Sequence, residues 1–477
     1  MALARISRFL PLRRAASTAA QPTKAAGDIS SVFPSLRPDY KPEALDVRFQ
    51  ELKQNLFEQN PQPLMQSWSR LLSSLQNEIV EIRANGNKVI PSLNFNDLKT
   101  GNLSAQTLSD IRRRGAVVIR GVFPRSFALE LKQRAMDYVM ANKARVKAFP
   151  SDWPVVYELY WSPSQVEARS HPNMLETQRF LQGLWHSSDP STPVSMRHTL
   201  SYADRLRIRE PGDAKFTLGP HADGGSLERW EDPEYSKVYR KILQGSWEDY
   251  DAFDAAHRAT AKMDLYGGPG ACSMLRFFQG WLAMSDTGPG EGTLSVCPML
   301  KHSTAYTILR PFFDPETSRP LNDSTFPGAV PGAAQEFSKT SHPHLELSTT
   351  MVPMPRVQPG DFVAWHCDAL HSVDKEHRGK GDSSVLYIPA APLCEMNAEY
   401  LKKQREAALA YSPPWDFPDA GGLGERGFEG AVDWSTLRDE GLQAMGMGSK
   451  PWAIEDGMGQ GEIEAVNAGN RICFGEI

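Results

Sequence analysis

Apolar residues in the first part of the chain recur at the spacing of a helix. One such pattern covers residues 44–58 and a second covers residues 63–84, so both stretches are predicted to be helical. A short β-branched run between glycines at residues 115–121 predicts a strand, and residues 126–141 predict the helix that follows it. The apolar positions of the second pattern are Leu64, Trp68, Leu71, Leu72, Leu75, Ile79 and Ile82.

From about residue 199 the pattern changes to short strands separated by Gly, Pro and Asp clusters. Many short strands with turn signals are typical of a barrel or of two packed sheets. We therefore predict a mainly β fold with added helices: a double-stranded β-helix (jelly roll, cupin-like) with N-terminal helices. The predicted strands are residues 205–209, 216–219, 273–284, 292–298, 303–309, 361–365 and 383–388.

The chain divides into four predicted parts. Residues 1–27 form a targeting-like segment, and residues 28–100 form a leader with helices. Residues 101–410 form the jelly-roll domain, within which the charged and aromatic stretch 230–261 is a helical insertion. This insertion either covers the site or is a peripheral helical addition. The glycine-rich residues 411–477 are expected to wrap irregularly around the domain.

The composition excludes several classes of protein. Among 477 residues, 52 Lys and Arg face 57 Asp and Glu, and a net charge of −5 argues against a nucleic-acid partner. No window reaches the roughly 20 apolar residues of a membrane span. The five cysteines are scattered without a C-x-x-C pair, which favours a reducing compartment.

The first 27 residues carry five basic side chains and no acidic one before Asp28. This composition, rich in Ala and Ser, is typical of a mitochondrial transit peptide, whereas a secretory signal needs an unbroken apolar segment. We expect a mitochondrial matrix protein. A disordered basic tail on a cytoplasmic protein is the alternative.

Two histidines lie in settings that differ from those of the other nine. His221 and Asp223 occupy alternate positions of the sequence GPHADGG at residues 219–225. Residues i and i+2 of an extended chain project to the same side, so this imidazole and this carboxylate point at one spot. His371 ends the second motif, which runs from a Pro-Gly-Asp turn at residues 359–361.

Together, His221, Asp223 and His371 match the two-histidine, one-carboxylate set of non-haem Fe(II) oxygenases. Three protein ligands leave positions open for a bidentate 2-oxo acid and O2. The nearby H-x-D of His366 and Asp368, taken with His371, is rejected as the main site, because six consecutive residues are too short to surround an ion from two strands. His366 is expected in the core or behind the ligands.

These residues resemble the Fe(II)- and 2-oxoglutarate-dependent dioxygenases, nearest to the phytanoyl-CoA hydroxylase-like branch. The resemblance includes residues 278–284 and the sequence EGTLSVCP at residues 291–298, where Thr293 replaces a glycine. With the leader at residues 31–40, almost the whole chain is similar to an uncharacterised bacterial and fungal family, domain of unknown function 1479. The resemblance implies Fe(II), 2-oxoglutarate and O2, and the products succinate and CO2.

The sequence departs from these enzymes where they bind the distal carboxylate of 2-oxoglutarate. The usual Arg or Lys at the start of the strand after the second histidine is missing, because that strand begins at Ser383. Arg378 and Lys380 in the preceding loop, or Arg205, Arg207 and Arg276 from other strands, are the candidate replacements. We expect Arg378, Ser383, Arg276 and Gln279 in the co-substrate site, since Arg276 and Gln279 interrupt an apolar run.

Two other functions remain open. A cupin-like metalloenzyme would use the same ligands without 2-oxoglutarate, and a non-catalytic jelly-roll module would use the histidines structurally. Trp281, Phe277 and Phe278 are expected in the core. The sequence indicates a small-molecule substrate without identifying it, and it does not indicate the oligomeric state.

Overall fold

The computed structural model describes residues 29–36 and 44–475. The predicted transit-like segment, residues 1–27, lies outside these residues. No helix in the described part has the length and apolar character needed to cross a bilayer.

Helices surround the sheets and contain many more residues than the strands, so the described chain is less β-rich than its pattern predicts. The N-terminal helices expected at 44–58 and 63–84 are present, and the insertion is helical as predicted. The helices are α1 (Ile29–Val32), α2 (Arg48–Glu58), α3 (Pro61–Asn85), α4 (Phe95–Lys99), α5 (Ala105–Arg114), α6 (Arg125–Ala141), α7 (Pro163–Ser170), α8 (Pro172–Gly183), α9 (Glu228–Glu231), α10 (Pro233–Val238), α11 (Arg240–Leu243), α12 (Leu300–Leu309), α13 (Leu347–Thr350), α14 (Glu395–Ala410), α15 (Asp439–Ala444) and α16 (Gln460–Phe474).

The strands form two large sheets and one small one. The 8-stranded sheet has the order β1-β2-β12-β8-β14-β6-β4-β3, the 5-stranded sheet has the order β10-β7-β13-β9-β11, and β15 pairs with β5. The strands are β1 (Ser92–Asn94), β2 (Ala116–Arg120), β3 (Ala148–Phe149), β4 (Val156–Tyr157), β5 (Val194–Leu200), β6 (Leu206–Arg209), β7 (His221–Ala222), β8 (Phe278–Ala283), β9 (Leu294–Val296), β10 (Gln335–Glu336), β11 (Val352–Pro353), β12 (Phe362–His366), β13 (His371–Val373), β14 (Ser383–Tyr387) and β15 (Ala391–Cys394).

Strand alternation selects which residues of the large sheet face the 5-stranded sheet. Trp365 pairs in register with Gln279, and Trp281 pairs with Tyr387 on the next strand. Trp365 also lies 5.2 Å, between ring centroids, from His371 of the 5-stranded sheet. The side chains of Gln279, Trp281 and Trp365 therefore lie between the two sheets.

The prediction of a strand at residues 303–309 is wrong, because α12 covers this stretch. Its β-branched residues favour a strand, but its side chains from Ser303 onward are buried. A helix buried all round has no polar face, so its sequence lacks the 3.6-residue alternation that would identify it. The strand predicted at 216–219 is also wrong, and the one predicted at 273–284 is confined to β8.

The C-terminal residues are more regular than predicted, since α15 and α16 lie within them. They are also joined to the rest of the fold by Glu425. Its Oε1 accepts the backbone N–H groups of Tyr160 and Trp161 at 2.7 and 2.8 Å, and its other oxygen accepts the hydroxyl of Tyr138 at 3.0 Å. This buried carboxyl group therefore completes the hydrogen bonds of a segment about 265 residues earlier.

The Pro-Gly-Asp turn before β12 requires glycine at its centre. Gly360 has φ +96°, and a Cβ there would lie 2.1 Å from the carbonyl oxygen of Phe123. Asp361 accepts the backbone N–H of Gly121 at 2.9 Å and pairs with Arg120 at 2.8 Å. The turn thereby joins β12 to the end of β2.

We predict that Gly360→Ala destabilises the protein by roughly 3 kcal/mol, because it combines an unfavourable φ with a backbone clash. Gly121→Ala is the matched control: its φ is +67°, and a Cβ there meets nothing within 4 Å. The control should lose about 1 kcal/mol, the conformational term alone. Chemical denaturation of both variants measures the difference, and equal losses would contradict the clash.

Candidate metal centre

Neighbouring strands bring the two predicted histidines together. His221 begins β7, His371 begins β13, and the two residues are direct partners in the antiparallel ladder. Asp223 follows β7 immediately and is on the same side as His221 because it is two positions further along the chain. The structure thus brings together three residues that span 150 positions in the sequence.

The polar atoms of the three side chains converge. Asp223 Oδ1 lies 3.9 Å from His221 Nε2, and Asp223 Oδ2 lies 3.7 Å from His371 Nε2. The imidazole centroids of the two histidines are 4.1 Å apart. One ligand atom from each residue lies within 4.8 Å of the other two, a spacing that one metal ion could bridge.

Backbone carbonyl groups fix the tautomer of both histidines. His221 Nδ1 lies 2.7 Å from the carbonyl oxygen of Gly219, and His371 Nδ1 lies 3.0 Å from that of Ala369. A carbonyl oxygen only accepts, so each Nδ1 carries the proton and each Nε2 presents a lone pair. Both lone pairs are on nitrogens near Asp223, as a metal site requires.

The charges of the ligand groups suit a divalent cation. Burial, together with the nearby His221, lowers the pKa of His371 to about 3, so this imidazole is neutral at physiological pH. Burial alone would raise the pKa of Asp223, but His371, His221 and Arg276 outweigh it and hold the pKa below its ordinary value. Two imidazole nitrogens and one carboxylate fit an ion such as Fe(II) and leave coordination positions open.

The two residues of the rejected H-x-D, His366 and Asp368, are engaged in other bonds. Asp368 forms a buried ion pair with Arg258 at 2.5 Å and accepts the hydroxyls of Tyr239 and Tyr250. His366 Nδ1 accepts the backbone N–H of Asp368, while Nε2 lies 2.9 Å from a carbonyl oxygen. His366 is therefore a core residue without a lone pair for a metal.

A cavity of about 170 Å³ lies between the sheets and is lined by all three candidate ligands. Arg276 and Gln279 also line it, beside Asp223: Arg276 Nη2 lies 4.0 Å from Asp223 Oδ2, and both side chains help to lower the pKa of Asp223. These two residues, predicted for the co-substrate, thus support the carboxylate. Trp281, predicted in the core, lines the cavity, whereas Phe277 and Phe278 are core residues.

The two arginines of β6 and Arg205, which precedes this strand, differ in whether they form ion pairs. Arg205, Arg207 and Arg209 alternate with Leu206 and Ile208, so all three project from the same face of the sheet. Arg205 pairs with Asp204 and Glu158 at 3.4 and 3.6 Å, and Arg209 pairs with the buried Asp213 at 2.5 Å.

The middle arginine forms no ion pair with a carboxylate among the described residues, and Asp374 is near enough only for a weaker electrostatic interaction. Arg207 is 2% exposed and lines the cavity. Its Nη2 donates to the hydroxyl of Ser383 at 3.3 Å, and its Nε has no hydrogen-bond partner. A buried guanidinium in this state has unused donors that an anionic ligand could accept.

The structure does not bring Arg378 to the cavity. Arg378 is exposed and is not among the described lining residues, and its backbone N–H donates to the carbonyl oxygen of Gly290 at 2.9 Å. Ser383 is also absent from the described lining, but it contacts the cavity through Arg207. Strand alternation explains the difference. It directs the side chain of Arg207 on β6 into the cavity, whereas the sequence favoured Arg378 in the loop before β14.

Sequence reasoning missed Phe33 and misplaced the cover of the site. Phe33 lines the cavity from the leader, and its ring centroid lies 4.6 Å from that of His221. No residue of the insertion 230–261 is among the described lining residues. The insertion instead lies behind the ligands, where Tyr235 donates to the carbonyl oxygen of Gly224 at 3.0 Å. An isolated Phe in an irregular leader carries no periodic signal that could have revealed its place.

Similarity to known proteins agrees with the predicted family. The model of the Gig2-like family matches residues 43–447. The chain belongs to the Gig2-like family. The crystal structure of GlcNAc Inducible Gene 2, GIG2 (DUF1479), from Candida albicans is 35% identical, with a TM-score of 0.82 over 92% of this chain and 97% of that one.

Bacterial relatives extend this result. The uncharacterised protein YbiU of Escherichia coli K12 is 36% identical over 381 residues, which are 78% of this chain and 88% of YbiU. A Salmonella typhimurium LT2 protein provisionally described as an oxidoreductase is 33% identical, with a TM-score of 0.75 over 85% of this chain and 99% of that one. The expected membership of DUF1479 is confirmed, whereas the phytanoyl-CoA hydroxylase-like branch stays a prediction.

The cavity of this Gig2-like protein also contains a buried acid, Glu228. Burial raises the pKa of Glu228 to about 7, although Glu228 accepts the backbone N–H of Ser226 at 2.7 Å. The unfolded chain releases this proton at its ordinary, lower pKa. Between the two values the folded state binds more protons, so its stability falls as the pH rises towards 7 and beyond.

We predict that Glu228→Gln stabilises the protein by roughly 3 kcal/mol at pH 8, because the amide is neutral like the protonated acid. Near pH 4 the variant and the natural protein should be equally stable. Denaturation at several pH values tests this, and a constant difference across the range would show that Glu228 is not protonated in the fold.

Proposed function

We propose that this protein is a non-haem Fe(II), 2-oxoglutarate-dependent dioxygenase that hydroxylates or oxidises a small organic substrate. His221 and His371 would bind the metal through Nε2, and Asp223 would bind it through its carboxylate. The observation that carries the proposal is the presence of Arg207, buried and without a carboxylate partner, in the same cavity as this ligand set.

The charges along β6 favour a dianionic co-substrate. Burying a guanidinium without an anion is costly, and the fold supplies carboxylates to the arginines on both sides of Arg207. A 2-oxo diacid has a metal-chelating end and a distal carboxylate, and the planar fork of Arg207 suits the latter through two parallel hydrogen bonds. We assign Arg207, supported by Ser383, as the anchor in place of Arg378.

The remaining residues orient and shield the reaction. The Nδ1 bonds to Gly219 and Ala369 hold the imidazoles in one tautomer, and Arg276 with Gln279 keeps Asp223 ionised. Trp281 and Trp365 enclose the cavity from the large sheet and limit water. When bound, Fe(II) would activate O2 for the oxidative decarboxylation of 2-oxoglutarate and the oxidation of the substrate.

We assign the central strands to the double-stranded β-helix class. The order β12-β8-β14-β6 in one sheet and β7-β13-β9 in the other supports this assignment, since both runs are antiparallel. Both candidate histidine ligands lie at the ends of strands of the smaller sheet, His221 at the start of β7 and His371 at the start of β13.

A cupin-like metalloenzyme that does not use 2-oxoglutarate is the second candidate. The observation in its favour is Ser383, which stands at the start of β14 where related dioxygenases carry a cation. Such an enzyme would bind metal with the same three residues but would not bind 2-oxoglutarate. A non-catalytic module would bind neither.

We predict that His221→Ala removes stoichiometric metal, because two ligands cannot hold the ion as three do. Purified protein loaded with Fe(II) or Mn(II) and measured by elemental analysis gives the result. His186→Ala is the matched control, since His186 also faces an aspartate, Asp251 at 2.9 Å, but on the surface. Metal retained by His221→Ala, or absent from the natural protein, would contradict the site.

We predict that Arg207→Met weakens 2-oxoglutarate binding to the Mn(II)-loaded protein about 100-fold, because it removes the charge-assisted bonds to the distal carboxylate. Metal content should be unchanged, and the ligand-free protein should be no less stable, since a buried unpaired charge is lost. Calorimetric titration with 2-oxoglutarate measures the affinity.

Arg378→Met is the matched control and should bind 2-oxoglutarate normally. The opposite result, normal binding by Arg207→Met and weak binding by Arg378→Met, would show that the loop residue Arg378 binds the distal carboxylate. No binding by the natural protein would favour the cupin-like enzyme.

A further inference from the structure

The leader segment, residues 29–36, forms one wall of the metal cavity. It consists of α1 and a 3₁₀ turn (Pro34–Leu36), and both Val32 and Phe33 line the cavity. Phe33 is 7% exposed, and its ring meets the His221 ring edge to face at an interplanar angle of 70°. The candidate metal ligand His221 is therefore covered by a residue that precedes it by nearly 190 positions.

The leader is attached to the strand that pairs with the strand of His221. The carbonyl oxygen of Val32 accepts the N–H of Ala334 at 3.0 Å. The backbone N–H of Ser35 donates to Glu336 Oε2 at 3.2 Å, and its hydroxyl bonds to the same carboxylate. Glu336 lies opposite His221 in the β10–β7 ladder, so the attachment and the candidate ligand share one pair of strands.

Phe33 packs into a small apolar cluster that is separate from the main core. Its neighbours there include Phe216, Leu218 and Val373, and Leu218 and Val373 belong to the cavity wall beside the two histidines. Phe33 contributes to the burial of these side chains. The cluster thus closes the site by burial of apolar surface and not by strand pairing.

We propose that the leader is a removable cap of the metal site, in which Phe33 is a positioning residue that holds the His221 ring and closes the cavity. This inference rests on the proposed function, since the exchange of metal and ligands through the site gives the cap its role. Ligands enter and leave when the leader detaches while the two sheets stay folded.

Local detachment is consistent with how the leader is held. It adds no strand to the described sheets, and its attachments include the backbone bond from Ala334, the Ser35–Glu336 contact and the ring of Phe33. Ser35 is exposed, so water can replace the bonds to Glu336. A short segment outside the sheets can open locally with a smaller free energy than the global fold.

We predict that Phe33→Ala accelerates the removal of bound Mn(II) by excess EDTA at least tenfold, because the ring no longer covers His221. Metal stoichiometry at equilibrium should be retained. Electron paramagnetic resonance of the released Mn(II) follows the rate. Glu336→Ala, which keeps Phe33 but removes the attachment of Ser35, should accelerate release by a smaller factor.

Phe428→Ala is the matched control. Phe428 is 6% exposed and packs in another small cluster, with Tyr138 and Leu159, that is outside the cavity lining. It therefore removes the same side chain at similar burial without touching the site. Equal release rates for Phe33→Ala and Phe428→Ala would overturn the cap.

Hydrogen exchange of the natural protein tests the cap without metal. The amide of Ala334, which donates to Val32, should exchange at least tenfold faster than the amide of His366 in the central strand β12, because only the former is freed when the leader opens. Exchange of both at one slow rate would overturn the cap even if metal binds. Absence of metal with fast exchange at Ala334 would overturn the proposed function alone.

Discussion

The antiparallel pairing of β7 with β13 is the constraint on which the candidate site depends. It sets His221 directly opposite His371, and the carbonyl groups of Gly219 and Ala369 then turn both Nε2 atoms towards Asp223. Register in a ladder changes in whole residues, so a slip by one position would turn one imidazole to the opposite face of the sheet. The geometry of the three groups therefore follows from backbone pairing and needs little adjustment by side chains.

The electrostatics of the cavity follow from strand alternation in the other sheet. Arg205, Arg207 and Arg209 project from one face of the sheet because they alternate, and among the described residues the first and the third form ion pairs whereas Arg207 does not. Arg207 lies in the cavity lined by the candidate metal ligands. One region of this protein thus combines a ligand set for a cation with a guanidinium suited to an anion, and a metal-chelating diacid could satisfy both.

Part of this arrangement could be predicted from the sequence. The helices at 44–58 and 63–84 and most central strands have clear periodicity, and the two histidine motifs stand out because their polar residues end apolar runs. Fully buried helix α12 carries no such alternation. Arg207 could be proposed only as one of several cations, because its lack of a partner depends on where Asp204, Glu158 and Asp213 lie. Phe33 reaches the site through tertiary packing alone, which local sequence does not encode.

The contact of Glu425 with Tyr160 and Trp161 has a consequence for how the polypeptide matures on the ribosome. The two amides emerge about 265 residues before the carboxyl group that accepts their hydrogen bonds. Until translation is nearly complete, this segment must leave its donors to water or to transient acceptors. The glycine-rich C-terminal residues can therefore pack against the fold only late in synthesis. A nascent chain that ended before Glu425 would leave the Tyr160 and Trp161 amides without this acceptor.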